Sequence, residues 1–331
     1  MKSNIIKFIN FLHKNDFIIL ILQWFNRNQR NLYWRKNRNI YHTYLSEIML
    51  QQTTVPTVEN KIQIFLKKFP NFQSFKRKKL EDVMSVWSGL GYYNRAINLF
   101  KSIEIINLKY GGTLPKTKIE LIGLPGIGKY TANAILAIGF NKKAFPIDVN
   151  IKRLISRIIG SNINENDLEL LLENLFINKK SYRKFSESMM DYSSSICLKS
   201  KPKCSECIFR NFCKSANKTF VSIQSKKNFK DINFYIFKKV NKILFINNPT
   251  FNFYKSFLHL PSNLDKEIIS KVKKINIQKI KSFNYSITNN LFKVNVFQVR
   301  QSINIEGSSW ISLNSIKSLP MPTLFKKVLF N

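Results

Sequence analysis

Up to about residue 220 the apolar positions recur three and four residues apart, the spacing at which an α-helix buries one stripe. Leu154, Ile155, Ile158 and Ile159 form such a stripe, and Gly160 predicts its end. In Leu45-Ser-Glu-Ile-Met-Leu-Gln-Gln-Thr53 the stripe is Leu45, Ile48 and Met49, which leaves Glu47 facing elsewhere. This part is predicted to be all-α. Farther on the pattern changes to short β-rich runs, residues 234–237 and 243–246, separated by Asn, Pro and Ser. A second, α+β domain is therefore expected after the polar, basic linker of residues 215–227. The longest apolar run near the start, residues 17–22, is too short to span a bilayer, and no small-residue cleavage site follows it. The expectation is a cytoplasmic protein with neither anchor nor signal peptide.

The 331 residues suffice for two domains with their own cores. Lys and Arg number 54 against 19 Asp and Glu, a net charge of +35 that points to a polyanionic partner. Residues 1–220 carry 36 basic and 15 acidic side chains, the remainder 18 and 4, so charge alone does not say which part holds that partner. The chain is crowded with Lys, Asn, Ile and Phe and has only six Ala, as a biased base composition produces. Against that background the small residues mark strict geometry. Nine of the ten Gly fall between Gly89 and Gly160, and four of the six Ala between Ala132 and Ala144.

Three groups of residues carry chemistry. Leu124-Pro-Gly-Ile-Gly-Lys-Tyr-Thr-Ala132 joins two helical segments through Gly126 and Gly128, a turn that exposes backbone N–H groups suited to one phosphate, with Lys129 adding charge. Cys197, Cys204, Cys207 and Cys213 are the only cysteines; in a reducing compartment such clustering favours a metal, and the spacing admits zinc or an iron-sulfur cluster. Asp148, in Phe145-Pro-Ile-Asp-Val-Asn150, stands where it can N-cap the helix that runs to Ile159. Beside that positive helix end a carboxylate suits a developing cation.

Trp34-Arg35, the 45–53 string, Trp87-Ser-Gly-Leu-Gly-Tyr-Tyr93, the glycine turn, the Asp148 segment and the cysteine loop follow one another as in adenine DNA glycosylases. Over residues 25 to 215 the chain resembles the MutY family of the helix-hairpin-helix, endonuclease III superfamily. The resemblance implies a six-helix barrel module with the hairpin at 31–134, an iron-sulfur module at 1–30 and 135–217 with one 4Fe-4S cluster on the four cysteines, and a degenerate MutT-like α+β domain at 218–331. It implies double-stranded DNA with adenine opposite 8-oxoguanine or guanine as the ligand of a monomer. Glu47 then corresponds to the general acid, which a partly buried site with a raised pKa would serve. Asp148 corresponds to the stabiliser of the sugar cation, with Asn150 ordering the site. Tyr130 stands where lyases of the endonuclease III type carry a Schiff-base lysine, so a monofunctional hydrolase is expected. Gln52 and Tyr92 match residues that wedge into the duplex, with Gln51 beside them. Trp34, Arg35 and Glu187 or Asp191 are candidates to line the adenine pocket, and Lys199, Lys201, Lys203 and Arg210 to approach the DNA backbone.

The chain departs from the family's usual pattern at Tyr33, where Pro precedes the pocket Trp, and at Ser193, where Gly is usual. Phe253-Tyr-Lys-Ser-Phe-Leu-His-Leu-Pro261 and the lesion-reading loop at Ile287-Thr288-Asn289 match only faintly. With Asp231, Asp265, Glu267 and Glu306 the only acids after residue 220, the C-terminal domain lacks an acid-rich metal box. Two alternatives are a thymine or uracil mismatch glycosylase on the same scaffold and a decayed DNA-binding protein.

Overall fold

The computed structural model describes residues 2–176, 181–218, 229–247, 258–273, 275–287, 290–300, 305–319 and 321–330. The chain divides into two units, one of Met1–Lys78 with Asn98–Ile223, the other of Lys79–Ile97 with Gln224–Asn331. Among the described residues no helix is long and apolar enough to cross a membrane.

The first unit is helical, as the periodicity predicts. One core gathers Ile5 and Leu12 of the helix Lys2–Lys14 and Phe17, Ile18 and Ile21 of the helix Phe17–Asn28 around the stripe Ile151, Leu154, Ile155, Ile158 and Ile159. That stripe lies on the helix Val149–Ile159, which begins at Asp148 and stops at Gly160 in the left-handed region, φ 69°. Phe176 stacks on Phe185 at 4.6 Å and Phe17 on Phe209 at 4.8 Å, which ties the loop after Cys207 into the same core.

The second unit is a mixed five-stranded sheet, in agreement with the α+β expectation. Its strands are β1 (Phe229–Lys239), β2 (Lys242–Ile246), β3 (Ile277–Ile287), β4 (Asn290–Val299) and β5 (Ser308–Ser312), in the order β3-β4-β1-β2-β5. β1 and β4 run parallel, with Phe234 opposite Val296, and the other pairs are antiparallel. Alternation along β1 sends Ile232, Phe234 and Ile236 to one face, against Leu324, Phe325 and Val328 of the helix Thr323–Phe330. Tyr235 and Phe237 go to the other face, against Ile268 and Val272 of the helix Lys266–Val272. Thr288 and Asn289, and residues 253–257 of the faintly matching string, lie outside the described residues.

A Cβ at Gly160 would lie 2.8 Å from Cβ of Lys214, on top of the left-handed backbone. Gly160→Ala is therefore expected to lower the unfolding free energy by about 1 kcal/mol or more, read by urea denaturation.

Candidate active site

Glu47 sits on the helix Ile40–Leu50, whose start is capped by the Asn39 side chain accepting from the His42 N–H at 2.7 Å. Every residue from Thr43 to Met49 on this helix is buried. A helix covered on all sides has no solvent face for the residue opposite its apolar stripe. Glu47 is thus 8 % exposed rather than a surface charge. Burial pushes its carboxyl up to about 7, with Arg35 pulling it down and Glu187 pushing it up.

Glu47 borders two hollows at once. One is an open cleft of about 570 Å³ lined by Glu47, Gln51, Gln52, Tyr130, Asp148, Asn150 and neighbouring side chains. The other is a narrower pocket bounded by Trp34, Arg35, Arg38, Thr43, Ser46, Glu47 and Glu187. The acid, the second carboxylate and the phenol expected at the site therefore meet in one cleft, and Trp34, Arg35 and Glu187 meet in the adjoining pocket. Tyr130 is held as a neutral phenol by burial and by the nearby charges of Glu47 and Asp148.

Asp148 caps its helix. Its Oδ1 accepts from the N–H groups of Asn150 at 2.9 Å and Ile151 at 2.7 Å, and its Oδ2 accepts from Asn150 Nδ2 at 2.7 Å. Asn150 Oδ1 accepts in turn from Arg153 Nη1 at 2.8 Å. The same guanidinium donates to the carbonyls of Cys197 at 2.8 Å and Ser193 at 2.9 Å. A continuous hydrogen-bonded path thus joins the cysteine loop to the Asp148 carboxylate.

Asp191 borders neither hollow. It is buried beneath them, where its carboxylate accepts from Arg35 Nη1 at 2.6 Å, from Arg30 Nε at 2.7 Å and from Arg30 Nη2. Burial alone would raise its pKa, but these bonds outweigh burial and hold it below the ordinary aspartate value. Glu187 accepts from Arg38 Nη1 at 2.8 Å and lies 3.4 Å from Arg35 Nε. Arg30, Arg38 and Arg153 escape a motif-based reading. A signal existed in the spacing of Glu187 and Asp191, two of only 19 acids, four apart on one helix face.

The hairpin turn is built as expected, with Gly126 at φ 79° and Gly128 preceding the helix Lys129–Ala134. A Cβ at Gly126 would meet the Asn98 side chain at 2.9 Å, whereas none is hindered at Gly128. Two of its neighbours are already engaged. Gln51 Nε2 donates to the Gly126 carbonyl and to Thr131 Oγ1, both at 3.1 Å. Lys129 Nζ pairs with Glu169 at 2.9 Å and Glu165 at 3.1 Å. Gln52 lines the cleft in the left-handed region, φ 56°. In the second unit, Tyr92 also has a positive φ, 46°, and is 39 % exposed. Its turn is held by Arg95, which lies 5.4 Å from both the Tyr92 and Trp87 rings and donates to the carbonyls of Leu90 and Gly91.

All four cysteines border one cavity whose other lining residues include no His, Asp or Glu. Among the described residues no group of three or more His, Cys, Asp or Glu is placed to hold a single metal ion. Of the loop's basic residues, Lys203 lies 3.7 Å from Glu206.

Comparison with known proteins places this geometry. Residues 45–176 match the family described as HhH-GPD superfamily base excision DNA repair protein. An adenine DNA glycosylase of Buchnera aphidicola subsp. Baizongia pistaciae is 34% identical over 93% of this chain and 94% of its own length. The chain belongs to the adenine DNA glycosylase family. A thymine/uracil-DNA glycosylase of Methanothermobacter thermautotrophicus is 32% identical over 60% of this chain and 91% of its own. The solved structure of a thermostable thymine-DNA glycosylase superposes with a TM-score of 0.58 at 32% identity, covering 62% of this chain and 98% of that one. The similarity to these thymine enzymes thus covers about three fifths of this chain, whereas the bacterial adenine enzyme matches nearly end to end. Family membership carries DNA base excision repair with it.

Asp191→Leu would leave the Arg30 and Arg35 guanidiniums without their buried acceptor. A stability loss of about 3 kcal/mol is expected in chemical denaturation.

Proposed function

We propose that this protein is a monofunctional adenine DNA glycosylase that hydrolyses the N-glycosidic bond of adenine opposite 8-oxoguanine or guanine in duplex DNA. The observation that carries the reading is the pairing, in one cleft, of a carboxyl raised to about 7 with a second, helix-capping carboxylate. The adenine is flipped from the stack into the pocket bounded by Trp34, Arg35 and Glu187. Glu47, protonated, donates to N7 and makes the base a neutral leaving group. Asp148, oriented by Asn150 and Arg153, faces the oxocarbenium-like sugar that develops as the bond breaks. Glu47, now ionised, helps activate the water that completes hydrolysis, leaving an abasic site.

The absence of a lyase step is supported by chemistry at the site. Tyr130 has no amine, no lysine among the described residues lines the cleft, and Lys129 is turned into a pair of glutamates. Gln52 and Tyr92, each on a positive-φ turn, are the wedging residues, and Gly126 and Gly128 present the phosphate-binding turn. Gln51 and Lys129 act as braces of that turn before they act on DNA. Asp191 supports the pocket from beneath and Glu187 borders it.

An all-thiol set around one cavity fits a group with four sulfur ligands, and the family resemblance selects a 4Fe-4S cluster on Cys197, Cys204, Cys207 and Cys213. Bound there, it would fold the loop of residues 197–213 rather than act on the base. We read residues 31–134 as the barrel module, 1–30 with 135–217 as the cluster module, and 218–331 as a degenerate MutT-like domain, a reader of the opposing base or a relic of one. A cytoplasmic monomer completes this reading.

Single-turnover release from duplexes with A opposite 8-oxoguanine, A opposite G, T opposite G and U opposite G tests it. Adenine loss that needs alkali for strand cleavage is expected. Release of T or U instead moves the chain to the mismatch enzymes, and binding without any release marks a decayed binder. Glu47→Gln is expected to abolish release while DNA affinity in a gel-shift titration stays within a few-fold. Because the acid form is the active one and titrates at about 7, the wild-type rate is expected to level off at low pH and fall about tenfold per unit well above neutrality.

A further inference from the structure

Tyr192, on the helix Tyr182–Ser195, is fully buried under the cysteine loop. Its ring packs edge-on against Trp24 at 4.8 Å and tilted against Phe209 at 5.0 Å, so the phenol is fixed in place. Its oxygen accepts from the Ile208 N–H at 2.9 Å, and its O–H donates to Cys207 Sγ at 3.1 Å. The amide thus occupies the oxygen's accepting side, and the one phenolic proton is left to the sulfur. A ring that only filled space would need neither bond. Charge also reaches Cys197, whose sulfur lies 3.5 Å from Arg157 Nη1.

We propose that Tyr192 is a positioning residue for the iron-sulfur cluster, its O–H orienting the Cys207 sulfur and raising the cluster's reduction potential. The inference rests on the cluster assignment above. A hydrogen bond to a thiolate sulfur draws electron density from it and favours the more negative, reduced state; without that bond, reduction is harder. Tyr192→Phe keeps the ring and its packing and removes the donor to Cys207 together with the acceptor of the Ile208 N–H.

The test compares wild-type and Tyr192→Phe holoprotein by iron and sulfide content and by voltammetry. Equal cluster content with a potential shifted negative is expected. The anticipated shift is about tenfold in the oxidised-to-reduced ratio at a fixed potential, or about 59 mV for one electron. A fully loaded Tyr192→Phe protein with the wild-type potential overturns the proposal. If that variant does not retain its cluster, site-specific 3-fluorotyrosine at position 192 decides, since it keeps the shape and strengthens the donor. A positive shift supports the role and an unchanged potential overturns it. Wild-type protein isolated with stoichiometric zinc and no iron sinks the cluster assignment itself, and this inference with it.

Discussion

A carboxyl keeps its proton near neutral pH only when it is withheld from water and from unpaired cations, and the surroundings of Glu47 meet both conditions. Glu47 is buried because every residue of its helix from Thr43 to Met49 is buried, yet Arg35 belongs to the same pocket. An unpaired guanidinium there would hold Glu47 ionised. Arg35 is instead committed to Asp191, which Arg30 shares, and to Glu187, which Arg38 shares. Two carboxylates against three guanidiniums balance the pocket closely enough for burial to remain the dominant influence on Glu47.

The second carboxylate is treated in the opposite way. Asp148 takes two backbone amides and one side-chain amide, and Asn150 and Arg153 carry that arrangement back to the carbonyl of Cys197. Such a path fixes a carboxylate by hydrogen-bond direction rather than by packing, and makes the geometry of Asp148 depend on the cysteine loop. The same loop is held from the other side by Phe17 on Phe209 and by Tyr192. One folded segment is therefore tied at once to the core, to the cysteine cavity and to the Asp148 carboxylate.

The excess of positive charge acquires a different meaning once partners are known. At least seven of the eleven arginines, Arg30, Arg35, Arg38, Arg95, Arg153, Arg157 and Arg183, spend their guanidiniums on internal acceptors. The planar fork suits carbonyls and carboxylates, and buried sites select it. The many lysines, by contrast, carry most of the exposed charge. The exposed positive charge thus falls mainly to lysine, and arginine is spent on internal structure.

The residues of the cleft were named only by the resemblance of the chain's motifs to a family, whereas the sequence by itself determined the helical part and its change to a mixed sheet and the helix that begins at Asp148 and stops at Gly160. It could do so because helical spacing, caps and glycine turns are local: the backbone dictates which residue types fit within a few positions. What only the tertiary structure decided is what each charged residue faces. Glu47 read locally is a surface charge, because its stripe is elsewhere; burial of the helix on all sides makes it an acid near 7. Lys129 read locally is a phosphate contact, and the helix Glu165–Leu175 makes it a brace. Asp191, a pocket candidate by resemblance, is instead buried against Arg30 and Arg35. Burial and ion pairing join residues tens to more than a hundred positions apart, and such distances leave no periodic trace in the chain.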